Sequence, residues 1–147
     1  MHIIATDDEQ SALNVLMGAI SEAVPLATVH GFRNPLEALE FMKETKCEIA
    51  FLDIQMREMS GIVLARKLKE IYPKVNIVFV TGYSQYANEA FALHASGYVY
   101  KPVTAGKIIN EMENLRNPVK WKDTGIFVNT FGNFELIVNG EEVSFGR

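Results

Sequence analysis

Ile49-Ala50-Phe51-Leu52-Asp53 is a short apolar run that ends on a carboxylate, and Ile54-Gln55-Met56-Arg57-Glu58-Met59-Ser60-Gly61 follows it as a polar loop and a helix opening. A strand of a parallel sheet covered on both faces reads as such a continuous run, and sites on these sheets lie at the carboxyl ends of the strands. This stretch alone leaves two readings of Asp53 open, a cap for the next segment or a functional carboxylate. The rest of the chain decides between them.

On the N-terminal side, His2-Ile3-Ile4-Ala5-Thr6 is an apolar strand that runs into Asp7-Asp8-Glu9. Leu13, Leu16, Met17, Ile20 and Val24 then recur at helical spacing, with Asp8 expected as the cap and Pro25 as the stop. Leu26 to Phe32 reads as a second strand, and Asn34-Pro35 opens a helix with Leu39 and Met42 inward. The third strand is Glu48 to Leu52. Beyond it, Ser60 is expected to cap a helix whose apolar face is Ile62, Ala65, Leu68 and Ile71. Val75 to Val80 is a fourth strand ending at Thr81-Gly82, and a weaker helix from about Ser84 to His94 carries Ala87, Ala90 and Phe91. Tyr98-Val99-Tyr100 is a fifth strand, and Thr104 opens a last helix with Ile108, Met112 and Leu115 inward. Five strands alternating with five helices imply βαβ units, hence an α/β doubly wound parallel sheet of flavodoxin-like order 2-1-3-4-5 with helices on both faces.

After Asn117-Pro118 the rhythm changes. Ile126 to Val128, Phe134 to Val138 and Val143 to Phe145 read as strands, with Asn139-Gly140 as a hairpin signal between the last two. The expected organisation is a main domain over 1–117, a linker over 118–125 and a short antiparallel β tail over 126–147. A tail this short has no core of its own.

The chain has 147 residues, 48% of them apolar and 22% charged, which is the composition of a globular domain. No apolar run approaches the roughly 20 residues that span a bilayer, so no membrane partner is expected. The N-terminus turns acidic too early for a secretory signal, and Cys47 is the single cysteine, so a reducing cytoplasm is the expected compartment. A net charge of −4 gives no general attraction to nucleic acid or anionic lipid.

The proposed sheet order brings Asp7, Asp8, Asp53, Thr81 and Lys101 to one edge, because parallel strands all end on the same side. Three carboxylates that close repel one another unless a cation sits among them. An all-oxygen set without histidine or cysteine suits Mg²⁺. An aspartate beside such a cation and a lysine is suited to attack phosphorus and form an acyl phosphate.

Asp7-Asp8, Asp53 with Gly61 eight residues later, Thr81-Gly82, and Ala95-Ser96-Gly97-Tyr98-Val99-Tyr100-Lys101-Pro102 resemble, in order and spacing, the receiver domain of two-component response regulators (CheY-like). The resemblance runs from Met1 to about Asn117. It implies that Asp53 is the phosphoacceptor, that Asp7, Asp8, Asp53 and the backbone carbonyl of Gln55 hold Mg²⁺, with Asp8 in direct contact, and that Thr81 and Lys101 bind the phosphoryl group. It implies that Tyr98 is the aromatic that swings inward with Thr81, and that the donor is a sensor histidine kinase. A cis bond before Pro102 is common in that family. Such a domain is a signalling switch and not an enzyme, beyond assisting its own phosphotransfer and dephosphorylation. One departure stands out: where the family reads Met-Pro three and four residues after the acceptor, this chain reads Met56-Arg57.

Phe131 to Arg147 resembles the first strands of a winged-helix output domain of the streptomycete antibiotic regulatory protein type. That resemblance implies a transcription factor of which this chain is a fragment, contacting DNA only through a C-terminal domain that is missing here. From Asn117 onward there are three basic and four acidic residues, too poor a balance to anchor DNA phosphates. The tail strands also offer a route to a homodimer, because unpaired strand edges seek partners.

The enzymatic alternative is a small Asp-nucleophile phosphatase on a similar fold. That class places Asp-x-Asp at the first strand, whereas here the acidic pair is adjacent and the acceptor follows strand three. A nucleotide or flavin carrier would need a phosphate loop after strand one, where Asp7-Asp8-Glu9 repels phosphate. His2, His30 and His94 read as isolated packing or surface residues, the six methionines mostly as core filling, and Arg66, Lys67 and Lys69 as a solvated face.

Overall fold

The computed structural model of the chain describes residues 1–122 and, as strands only, 126–129, 135–138 and 141–144. Five parallel strands, β1 (His2–Thr6), β2 (Thr28–Phe32), β3 (Ile49–Leu52), β4 (Asn76–Thr81) and β5 (Gly97–Tyr100), form one sheet in the order β2-β1-β3-β4-β5. The helices α1 (Gln10–Ala23), α2 (Pro35–Glu44), α3 (Gly61–Ile71), α4 (Ala87–Ala92) and α5 (Ala105–Met112) connect or follow them. The order expected from the alternation of strands and helices is the one observed.

Side chains of a strand alternate between faces, and in this sheet both faces are covered. Ile4, Ala50, Leu52, Ile77 and Phe79 point into one cluster with Ala38, Leu39 and Met42 of α2 and Ile62, Leu64, Ala65 and Leu68 of α3. Ile3, Ala5, Ile49, Phe51, Val78, Val80 and Val99 point the other way, against Leu13, Leu16 and Ile20 of α1 and Ile108 and Met112 of α5. The strands read as unbroken apolar runs because each must serve two cores at once. Burying each of the larger side chains, Phe51 and Phe79 among them, contributes about 1.5–3 kcal/mol.

Capping follows the sequence at three of four expected helix starts. Asn34 Oδ1 accepts from the Leu36 N–H (2.9 Å), Ser60 Oγ from Val63 (3.2 Å) and Thr104 Oγ1 from Lys107 (3.2 Å). The fourth differs. Glu9, not Asp8, stands at the N-cap of α1, and no side chain caps that helix. Asp8 is engaged elsewhere, as described below.

Other expectations are adjusted. Strand β2 begins at Thr28, leaving Leu26 exposed, and Ile71 at the end of α3 is partly exposed. Helix α4 is only six residues long, buries Ala90, and leaves Phe91 79% exposed. Its sequence, Ala87-Asn88-Glu89-Ala90-Phe91-Ala92, gives few large apolar groups to bury. His2 and His30 are not isolated: their Nδ1 and Nε2 atoms lie 2.9 Å apart across β1 and β2, with stacked rings. Arg66 and Lys67 are exposed, whereas Lys69 is half-buried, and burial followed by the nearby Arg116 charge lowers its ammonium pKa.

The chain leaves the domain through a polar clamp. The buried Asn76 side chain donates to the carbonyls of Glu48 (3.2 Å) and Asn117 (2.7 Å) and accepts from Ser96 Oγ (2.8 Å) and the Asn117 N–H (2.8 Å). Val119 and Trp121 then pack against the cluster under α1 and α5.

Further along, β6 (Ile126–Asn129), β7 (Glu135–Val138) and β8 (Glu141–Ser144) pair antiparallel in that order. The expected Asn139-Gly140 hairpin turn and most of the Phe131–Arg147 resemblance lie outside the described residues.

Candidate functional site

The carboxyl ends of β1, β3, β4 and β5 meet at one edge, and the sequence-predicted residues meet there with them. Asp7 and Asp8 follow β1, Asp53 follows β3, Thr81 ends β4 and Lys101 follows β5. Carboxylate oxygens of Asp7, Asp8 and Asp53 all lie within 4.8 Å of one another. Among the described residues this is the single such cluster of acidic, histidine or cysteine side chains.

Each carboxylate is held differently. Asp7, the most buried, takes the Glu9 N–H on Oδ1 (3.0 Å) and the Lys101 ammonium on Oδ2 (2.9 Å). Asp53 takes the Ile54 N–H on Oδ1 (3.0 Å), and Lys101 stands 3.7 Å from the same oxygen. Asp8 takes the Arg57 N–H on Oδ2 (3.0 Å), and the Arg57 Nε is 3.3 Å from that oxygen. Arg33 reaches the backbone carbonyl of Asp8 with two nitrogens at 3.3 Å.

Burial, then the Asp7 charge, pushes the Asp53 carboxyl up to about 6, against the pull of Lys101 and the Ile54 N–H. At Lys101 burial disfavours the charge, but the Asp7 hydrogen bond and the Asp53 and Asp7 charges outweigh it, so its pKa is raised. A crowded, all-oxygen carboxylate set with one acid reluctant to ionise is the environment that a hard divalent cation relieves. The residues present therefore fit Mg²⁺.

Gly61 lets this edge close. Its N–H donates to the Ile54 carbonyl (2.8 Å), and a Cβ there would be driven into the backbone carbonyl of Asp53. The start of α3 thus lies directly against the backbone of the acidic strand end.

Thr81 is fully buried, and its Oγ1 accepts from the Tyr83 N–H (3.3 Å). The Tyr98 hydroxyl donates to the Tyr83 carbonyl (2.6 Å), so both expected switch residues touch the same loop after β4. Gln55 is exposed, and its side-chain amide donates to the Tyr86 hydroxyl (2.8 Å), a bridge from the β3–α3 loop to α4 that sequence reasoning did not anticipate. The Lys101-Pro102 bond is cis. The Arg57 contact with Asp8 was signalled in the sequence only by the residue's departure from the receiver pattern.

The geometry agrees with the chain's relatives. The family model for the response regulator receiver domain matches residues 3–113. The chain is 33% identical over 115 residues to protein MrkE of Klebsiella pneumoniae, covering 78% of this chain and 43% of that protein. It is 35% identical over 113 residues to the sensory transduction protein LytT of Enterococcus faecalis, covering 77% and 47%. To the transcriptional regulatory protein YpdB of Escherichia coli it is 31% identical over 115 residues, covering 78% and 47%. It therefore spans less than half the length of these curated relatives. Among solved structures, the response regulatory domain of mrkE from Klebsiella pneumoniae matches with a TM-score of 0.69 at 33% identity, covering 78% of this chain and 94% of that one. The chemotaxis protein CheY4 of Vibrio cholerae shares the fold, with a TM-score of 0.68 at 19% identity over 76% of this chain and 95% of that one.

Proposed function

The chain belongs to the response regulator receiver family, and from that premise we propose that Asp53 accepts a phosphoryl group from the phosphohistidine of a sensor histidine kinase. The observation that carries this is the convergence of Asp7, Asp8 and Asp53 within 4.8 Å, with Lys101 at 2.9 Å from Asp7 and 3.7 Å from Asp53. A carboxylate oxygen of Asp53 attacks phosphorus, the phosphorus–nitrogen bond to the donor imidazole breaks with its electron pair going to nitrogen, and an acyl phosphate forms.

Asp7, Asp8, Asp53 and the Gln55 backbone carbonyl are the residues that would hold Mg²⁺, which when bound neutralises charge developing on the transferred phosphoryl oxygens. Lys101 supplies a second positive charge from the side of β5. Thr81 offers its hydroxyl to a phosphoryl oxygen, giving up the Tyr83 N–H. Because Tyr98 is bonded to the same Tyr83 backbone, movement of Thr81 is passed to the aromatic ring, a two-state element biased by a local charge.

A receiver domain is a signalling switch, and the phosphatase alternative is not favoured. For the whole protein, the reading is a cytoplasmic response regulator with a transcriptional output, because the relative YpdB is named a transcriptional regulatory protein. The winged-helix resemblance has no support in the matches, so that domain type is not carried further. The division into 1–117, 118–125 and 126–147 and a homodimeric active form remain part of this proposal.

Acetyl phosphate with Mg²⁺ should add one phosphate to the chain, read by intact mass, and Asp53→Ala should abolish it. Equal incorporation in Asp53→Ala would overturn the assignment.

A further inference from the structure

We propose that Arg57 is a latch on Asp8, which a divalent cation must open before it can use that carboxylate; this rests on the reading of Asp7, Asp8 and Asp53 as metal ligands. Two donors of one residue converge on one oxygen. The Arg57 N–H is 3.0 Å and its Nε 3.3 Å from Asp8 Oδ2. Of the three carboxylates Asp8 is the most open, its side chain 17% exposed against 3% for Asp7 and 10% for Asp53. It is the ligand an ion arriving from solvent meets first, and Arg57 covers it.

The two contacts are separable. The guanidinium contributes positive charge that a cation must displace or tolerate, and Coulomb repulsion at this spacing works against a second positive charge. The N–H fixes the loop between β3 and α3 against the end of β1. Proline, the residue that the receiver pattern places here, has neither charge nor N–H and can make neither contact. This chain therefore holds its acidic edge closed by a means that a proline-bearing receiver lacks. The side chain of Arg57 is 79% exposed, so the ion pair is weak, and release requires only that the guanidinium turn into solvent. The latch shifts the cation concentration at which the site fills and leaves the ligand set intact.

Calorimetric titration of the full 147-residue chain with MgCl₂ at low ionic strength tests this. Arg57→Ala, which keeps the N–H, should tighten the Mg²⁺ dissociation constant by about twofold to fivefold, the factor an exposed ion pair commands. Arg57→Pro should tighten it at least as much. The advantage of Arg57→Ala should shrink as salt is raised. If both variants bind Mg²⁺ no more tightly than the parent chain, while Asp8→Asn loses binding, the latch is wrong and the metal site stands. If the parent chain and Asp8→Asn show equally negligible binding, the ligand assignment fails and the latch with it.

Discussion

Asn76 and Asn117, 41 residues apart, are locked by a reciprocal pair of hydrogen bonds: the Asn76 amide donates to the Asn117 carbonyl at 2.7 Å, and its oxygen accepts from the Asn117 N–H at 2.8 Å. The same side chain serves Glu48 and Ser96, so one fully buried carboxamide ties the starts of β4 and β5 to the chain's exit after α5.

Asn76→Ala should therefore destabilise the domain by about 1–3 kcal/mol, since the half-buried Asn117 N–H and carbonyl and the Ser96 hydroxyl lose their partner while the Glu48 carbonyl keeps the Asn76 N–H. Urea unfolding measures the loss, and hydrogen exchange should show protection disappearing at Asn117 first. A loss below about 0.5 kcal/mol in unfolding would show that water replaces the clamp at no cost.

Asp53 makes a pH prediction with a definite sign. Its carboxyl rises from 3.8 to about 6 in the folded chain, so between those values the folded state holds a proton that the unfolded state has lost. Stability from this group is present in full below pH 3.8 and is lost as pH rises through about 6. With metal chelated, Asp53→Asn should raise stability at pH 7.5 by about 1–2 kcal/mol, a value held below the full shift because Lys101 and Asp7 are coupled to it. The gain should vanish near pH 4. A destabilised Asp53→Asn at pH 7.5 would contradict the direction.

Gly61→Ala forces a methyl group against the Asp53 carbonyl, where backbone and not a flexible side chain must yield. The expected cost is about 1–3 kcal/mol by thermal unfolding, as for other overpacked sites. Acetyl phosphate should also label Asp53 more slowly in the variant, because α3 can no longer seat against the acidic edge. An unchanged melting temperature would show that the loop adapts.

The fold was legible because each buried strand carries its face pattern in plain view. Ile49, Phe51 and Leu52 cannot all face one side, so two covered faces and a parallel sheet follow. The ends of β1, β3, β4 and β5 were legible because a carboxylate, a hydroxyl or a lysine halts each of those apolar runs. Asp8 was misread as a cap since acidic residues before a helix often are caps, and nothing local reveals a partner 49 residues away. Asn76 drew no attention inside the expected strand Val75 to Val80, because nothing local signals its four hydrogen bonds to Glu48, Ser96 and Asn117. Helix α4 was drawn too long because Ala87, Ala90 and Phe91 suggest a buried stripe that Phe91 does not join.

Trp121 is the sole tryptophan of the chain, and it is seated by Val119 and the α1–α5 cluster just after the Asn117 clamp. The acidic edge lies at the opposite ends of the strands. The protein thus carries its one tryptophan at its exit and only tyrosines, Tyr83, Tyr86 and Tyr98, beside its chemistry. Any change in Trp121 emission on loading Asp53 is a signal that has crossed the length of the sheet.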